Sequence, residues 1–293
     1  MPNPRFLQTA ERWMNKDAPE VRTQRVKSTP KTSNVNGVNY PDLPAETHIF
    51  SYDGQHGQFF QELLAKSNER FKGTRAEIPT GKKGEVKNMY AAKRMALVST
   101  IADNPNLRNY GLLPITPMQD ECLLKEGRLQ DPSKYWEDLG LLLYDTSPNG
   151  YNPKESVALK EDIIRHRSEL GLSQSDLEER LVIVNAGGEP DSSMRFGVKP
   201  VIVSGITIAY PHEILNQTGK NHKFDYGLIK GLPSLSQVGN GKRTLYMPSE
   251  TSDIGLRVLY RSRDLDLYAR GGDLADVVDE FGRVNFAPQA RAP

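Results

Sequence analysis

The chain has a single cysteine, Cys122, in 293 residues. It cannot close an internal disulfide, which excludes the small secreted scaffolds that rely on several. No run approaches the roughly 18 consecutive apolar residues of a membrane-spanning helix, and the opening MPNPRFLQTAERWMNK lacks the apolar core of a signal peptide. A cytoplasmic protein with no membrane partner is therefore expected. The five histidines, His48, His56, His166, His212 and His222, form no i, i+4 pair and have no second cysteine to complete a zinc site. The 24 glycines and 20 prolines follow no period, which excludes a collagen-like chain.

Net charge is nearly absent as well, with 38 Lys and Arg against 37 Asp and Glu. The balance hides a division. Residues 1–94 hold 16 basic and 10 acidic residues, and the remainder holds 22 and 27. A basic first third suggests a partner of opposite charge, either nucleic acid or an acidic protein surface.

Residues 17–47 are rich in Pro, Asn, Thr and Ser, with few large apolar side chains. Such a segment cannot bury enough surface to offset its ordering entropy. Residues 1–47 therefore read as a polar arm, carrying a short helix over 1–16, through which copies of the chain could associate. Two amphipathic helices follow. Phe59, Phe60, Leu63, Leu64 and Phe71 fall at helical spacing in the first, and residues 84–103 repeat the pattern with Val86, Met89, Tyr90, Met95, Val98 and Ile101.

Asp131-Pro132 with SKYWEDL predicts an N-cap, a proline at N1 and a short helix. LGLLLYD (139–145) has the length of a strand, and Asn152-Pro153-Lys154-Glu155 opens a helix that Gly171 ends. LVIVNAGG (181–188) is a second apolar run. Strand, helix and strand in this order predict a βαβ unit with parallel strands. VKPVIVSGITIAY (198–210) adds strands broken at Gly205, and the C-terminal runs TLYMPS, GLRVLY, LDLYAR and GRVNFA favour antiparallel pairing. The expected fold is α/β (or α+β), one domain over residues 48–293. It has a mixed sheet with a parallel βαβ centre, antiparallel C-terminal strands and two N-terminal amphipathic helices.

Candidate functional residues follow from that topology. Ligands bind beyond the carboxyl ends of parallel strands, where loops offer free amides. Asp145 would then hold a metal or accept a ligand proton, while Gly187, Gly188 and Ser192 would donate to phosphate. Lys83, Lys87 and Arg94 gather near the start of the second helix, where point charges could meet a phosphate backbone. Asp264 and Asp266, two apart in an expected strand, could share a divalent metal ion, the one cofactor suggested. Arg257, Arg261 and Arg263 upstream could instead pair with them. His48, Asp53 and His56 are close enough for a small loop site, and Cys122 reads as an apolar filler.

Three functions stay open. The leading one is binding of a phosphate-bearing ligand, nucleotide or nucleic acid, at the loops after the parallel strands. The others are a non-enzymatic assembly subunit whose arm contacts neighbouring chains, and a metal-dependent phosphoester hydrolase.

Overall fold

A computed structural model describes residues 34–35, 38–39, 47–49, 56–79, 86, 88–228, 230–249, 254–272, 274–275 and 281–288. Backbone contacts divide the chain into two units, Met1–Asp42 and Leu43–Pro293. In the first, β1 (Asn34–Val35) and β2 (Val38–Asn39) pair antiparallel. The helix expected over residues 1–16 lies outside the described residues.

The second unit combines helices with a mixed sheet, as its sequence predicts. The two N-terminal helices are α1 (Gly57–Arg70) and α2 (Ala91–Asp103). The second begins at Ala91 rather than 84, because Asn88 is left-handed at φ +60 and Tyr90 is extended. Phe59, Phe60, Leu63 and Leu64 of α1 pack with Leu97 and Ile101 of α2 in one apolar cluster. Two short helices follow, α3 (Pro105–Asn109) and α4 (Pro117–Lys125), separated by strand β4 (Leu112–Pro114). Strand β4 pairs with β15 (Asn285–Pro288), which also holds β3 (His48–Ile49).

The main sheet has eight strands. In spatial order they are β10 (His222–Phe224), β11 (Arg243–Tyr246), β13 (Leu267–Gly271), β12 (Leu256–Arg261), β5 (Trp136–Leu143), β6 (Leu181–Val184) and β9 (Ile208–Pro211). Strand β14 (Gly282–Arg283) also pairs with β5. Of the C-terminal runs expected to pair antiparallel, β12 and β13 do so, whereas β11 runs parallel to β13 and β14 parallel to β5; β10, outside those runs, pairs antiparallel with β11.

The direction of the central pair corrects the sequence expectation. Strands β5 and β6 run antiparallel, with Leu143 opposite Leu181 and Leu141 opposite Ile183. Residues 144–180, including helix α5 (Pro153–Arg165), are thus an excursion that leaves and returns at one end of the sheet. The turn is made by tertiary partners. Leu256 N–H donates to Tyr151 O at 2.9 Å, and Asn152 Nδ2 donates to Leu256 O at 2.7 Å. These bonds tie the start of α5 to β12 instead of letting it cross the sheet.

The segment expected as a helix after Asp131 is a turn that leads into β5 at Trp136. Trp136 and Glu137 join the ladder with β14, and Glu137 and Asp138 with β12. Local capping signals lose to these strand partners.

Both faces of β5 are buried. Leu141 and Leu143 pack with Met95 of α2 and with Leu159 and Ile163 of α5 on one face, and Leu142 and Tyr144 face Leu245, Leu259 and Leu267 on the other. Val157 and Ile164 of α5 stay 42% and 51% exposed. Among the described residues no helix is long and apolar enough to cross a membrane.

The run LVIVNAGG is two elements. Asn185, left-handed at φ +52, separates β6 from β7 (Gly187–Pro190), which forms a hairpin with β8 (Val198–Val201). Here α2 lies on the hairpin. A Cβ on Gly187 would stand 2.4 Å from Ser99 Oγ and from Val203 Cγ2, and one on Gly188 would stand 2.8 Å from Val198 Cγ1. Gly187→Ala should therefore destabilise the fold by about 1–3 kcal/mol through overpacking. The measurement is the urea midpoint at unchanged m-value, and an unaltered midpoint would contradict the packing of α2 against this hairpin.

Candidate binding cleft

The residues singled out from sequence occupy separate places. Asp145 caps the start of β12, with Oδ1 accepting from Gly255 N–H at 2.8 Å and Ser147 N–H at 3.1 Å, and Oδ2 from Ile254 N–H at 3.1 Å. Gly187 and Gly188 lie beneath α2, and Gly188 N–H donates to Ser99 Oγ at 2.9 Å. Ser192 is exposed in the turn after β7. With β5 and β6 antiparallel, the strand-end cradle that would have joined these residues is not formed. Lys83 and Lys87 lie outside the described residues, as does Asp53, while His48 and His56 have ring centroids 4.3 Å apart.

Arg94 is buried, and its guanidinium serves backbone and side-chain acceptors. It donates to Ile115 O at 2.6 Å, to Asn185 Oδ1 at 2.9 Å and to Asp138 O. Asp264 sits in the turn between β12 and β13, and Asp266 follows it before β13 begins, so the two do not share a strand face. Asp266 Oδ1 accepts from Thr244 N–H at 2.6 Å. Among the described residues no three His, Cys, Asp or Glu side chains gather to hold a metal ion. Cys122 is buried and free, and burial pushes its thiol up to about 11, as suits a filler.

The structure instead assembles a set of buried charges whose carboxylates, Asp120 and Glu121, no sequence pattern marked. Thr116 and Gln119 form a capping box at the start of α4, with Pro117 in its first turn. That start fixes Asp120 and Glu121, both fully buried, against the sheet. Asp120 takes Arg261 Nε at 2.9 Å, and Glu121 takes Arg243 in a two-pronged contact at 2.6 and 2.7 Å. Gly227 N–H adds a third bond to Glu121 at 2.7 Å. Arg261 was expected to face Asp264 or Asp266. It points to the other side of the sheet.

The same two arginines hold the walls of a cleft. Arg261 Nη1 donates to Pro132 O at 2.8 Å, and Arg243 Nε donates to Leu265 O at 2.5 Å. Next to these anchored carbonyls is an open cleft lined by Ser133, Trp136, Arg263, Asp264 and Leu265. Leu265 is left-handed at φ +67, a conformation that costs a branched side chain roughly 1–2 kcal/mol.

Beside the cleft runs an aromatic row. Tyr246, Tyr268 and Tyr260 come from β11, β13 and β12, and they stand opposite one another in register. Tyr246 and Tyr268 stack with centroids 4.4 Å apart and Tyr260 and Tyr268 at 4.9 Å, while Trp136 of β5 leans on Tyr260 at 5.2 Å and 59°. All four rings are half-buried. Carbon atoms in contact stand about 3.5 Å apart, so rings at these spacings are offset, and part of each face extends past its neighbour. Arg270 lies 4.8 Å over Tyr246 and 5.8 Å over Tyr268.

A bulge makes this row possible. The β12–β5 register shifts so that Leu259 faces Gly140 and Tyr260 faces Asp138, skipping Leu139. The skip sets Trp136 and Asp138 on the side of Tyr260, and Glu137 on the side of Arg261. Gly140 permits it, since at φ +147 a Cβ there would stand 2.6 Å from Ile183 O. Each strand showed one aromatic residue in its sequence, but only the strand order brings them together.

In β5, burial pushes Glu137 up to about 8, aided by the nearby Asp120, and pushes Asp138 up to about 7 against the pull of Arg94. Both groups therefore bind a proton more readily in the folded chain than in the unfolded one. The folded state holds more protons between the ordinary carboxylate range and pH 8, so stability falls as pH rises through that window. Urea unfolding from pH 5 to pH 8 should show a declining midpoint. Asp120→Asn, which leaves Arg261 buried without its carboxylate, should cost about 3–5 kcal/mol. Asp138→Asn should cost under about 1 kcal/mol, since Asp138 Oδ1 has no hydrogen-bond partner and stands 3.9 Å from Arg94 Nε. Equal losses for the two variants in the same assay would contradict this division. No protein-family model matches the chain, and no curated protein or solved structure matches it either.

Proposed function

We propose that this protein binds a phosphate-bearing ligand with planar bases, a nucleotide or a single-stranded nucleic acid, along the aromatic row and the cleft at its end. The observation that carries the reading is the row itself. Four half-buried aromatic rings from four neighbouring strands lie beside a cleft, with Arg270 and Arg263 exposed along the same stretch. Bases stack on aromatic faces whatever their sequence, and arginine supplies the charge that follows a phosphate backbone. The ligand class is the one expected from sequence, on other residues. It agrees with a cytoplasmic placement.

Rigidity supports the reading further. A binding surface gains from side chains that are already ordered, because less entropy is lost on association. Here the rings brace one another, and the strands beneath them are held from behind by the Asp120–Arg261 and Glu121–Arg243 pairs.

The test is fluorescence anisotropy of a labelled octameric oligouridine titrated with the full chain over a series of salt concentrations. Affinity should fall with salt, with a slope of about −0.7 for each phosphate contacted. Tyr268→Ala should weaken binding about 5- to 150-fold, as loss of one stacked base predicts, and Tyr268→Phe should restore it. A wild-type chain that fails to bind at low salt would refute the proposal, as would affinity that is indifferent to Tyr268→Ala in a folded variant.

A further inference from the structure

We infer that the cleft beside Trp136 reads guanine, an inference that rests on the ligand class proposed above and adds a base preference to it. The cleft offers one aromatic ring, Trp136, one apolar side chain, Leu265, and the polar groups of Ser133, Arg263 and Asp264. A base entering it meets the indole on one side and a carboxylate at the lip.

An ionised carboxylate only accepts hydrogen bonds, through two adjacent oxygens. The base that matches it must present two neighbouring donors on one edge. Guanine does, with N1–H and N2–H₂. Adenine and cytosine each present a single amino donor beside a ring-nitrogen acceptor, and uracil places its one donor between two carbonyls. Each of the other bases therefore sets at least one acceptor against Asp264. Arg263 also lines the cleft, with its guanidinium packed 4.7 Å over Phe281.

Two features support the cleft as a fixed surface. Its walls hang from buried arginines through Pro132 O and Leu265 O. Leu265 also keeps a left-handed backbone that glycine or asparagine would adopt without strain. A turn under selection for stability alone would favour glycine there. The leucine there supplies the apolar wall against which a flat base can lie.

The experiment compares two octamers, oligouridine and the same chain with one internal guanosine, each titrated against the full-length protein by anisotropy. The guanosine should tighten binding about 5- to 150-fold, the range of a good bidentate base contact. Asp264→Asn replaces one acceptor by a donor, and the ratio between the two octamers should fall below about twofold. Leu265→Gly should leave the thermal midpoint equal or higher and reduce the same ratio at least about threefold. Equal affinity of the wild-type chain for both octamers would overturn the inference and leave the aromatic row standing. Failure of both octamers to bind would overturn the row as well. Preference for guanosine that survives Asp264→Asn would remove Asp264 as the reader and with it the inference.

Discussion

Asp120 and Glu121 are adjacent on one short helix, and each reaches a different strand. Through Arg261 and Arg243 they join α4 to β12 and β11, in an interior where neither carboxylate touches water. Withdrawing such charges from water is costly, and their attraction recovers the cost only with good geometry and further hydrogen bonds. Both conditions are met. Glu121 accepts from two guanidinium nitrogens and a backbone amide, and each arginine spends a remaining N–H on a carbonyl. The pairs are directional where apolar packing is not, so they fix the position of the sheet's end against the helix.

Much of the described surface depends on that arrangement. The carbonyls that complete the arginines belong to Pro132 and Leu265, and so the interior bonds set the width of the cleft on the outside. On the opposite face of the same strands stand the three tyrosines. A sheet face can carry an aromatic row only if the strands beneath it hold their register, and the row spans a parallel pairing, an antiparallel pairing and a bulge. Ion pairs behind and stacked rings in front restrain the same few residues.

Much of the local structure was legible from sequence. Phe59, Phe60, Leu63 and Leu64 marked α1 by their spacing, Asn152-Pro153 marked the start of α5, and the four C-terminal runs became β11, β12, β13 and the β14–β15 segment. These signals are short-range, resting on periodicity and caps. The candidate site was not legible. Asp145 looked like a ligand because a strand end with Thr, Ser and Gly looks alike whether it holds phosphate or caps the next strand. Gly187 and Gly188 looked like a phosphate loop because sequence does not reveal that α2 lies on them.

The sequence by itself marked several helices and strands, among them α1, α5 and the C-terminal strands, and most of the side chains that form the core. It did so because periodicity and capping act over a few residues. Tertiary structure alone decided that β5 and β6 run antiparallel, that one bulge at Leu139 turns Trp136 outward and Glu137 inward, and that Arg243 and Arg261 lie in the interior. Those outcomes depend on partners more than a hundred residues away, such as Asp120 for Arg261 and Glu121 for Arg243. An arginine in a short strand reads the same whether water or a buried carboxylate awaits it. The difference lies in the desolvation of both charges, which is set only once the chain has folded around them.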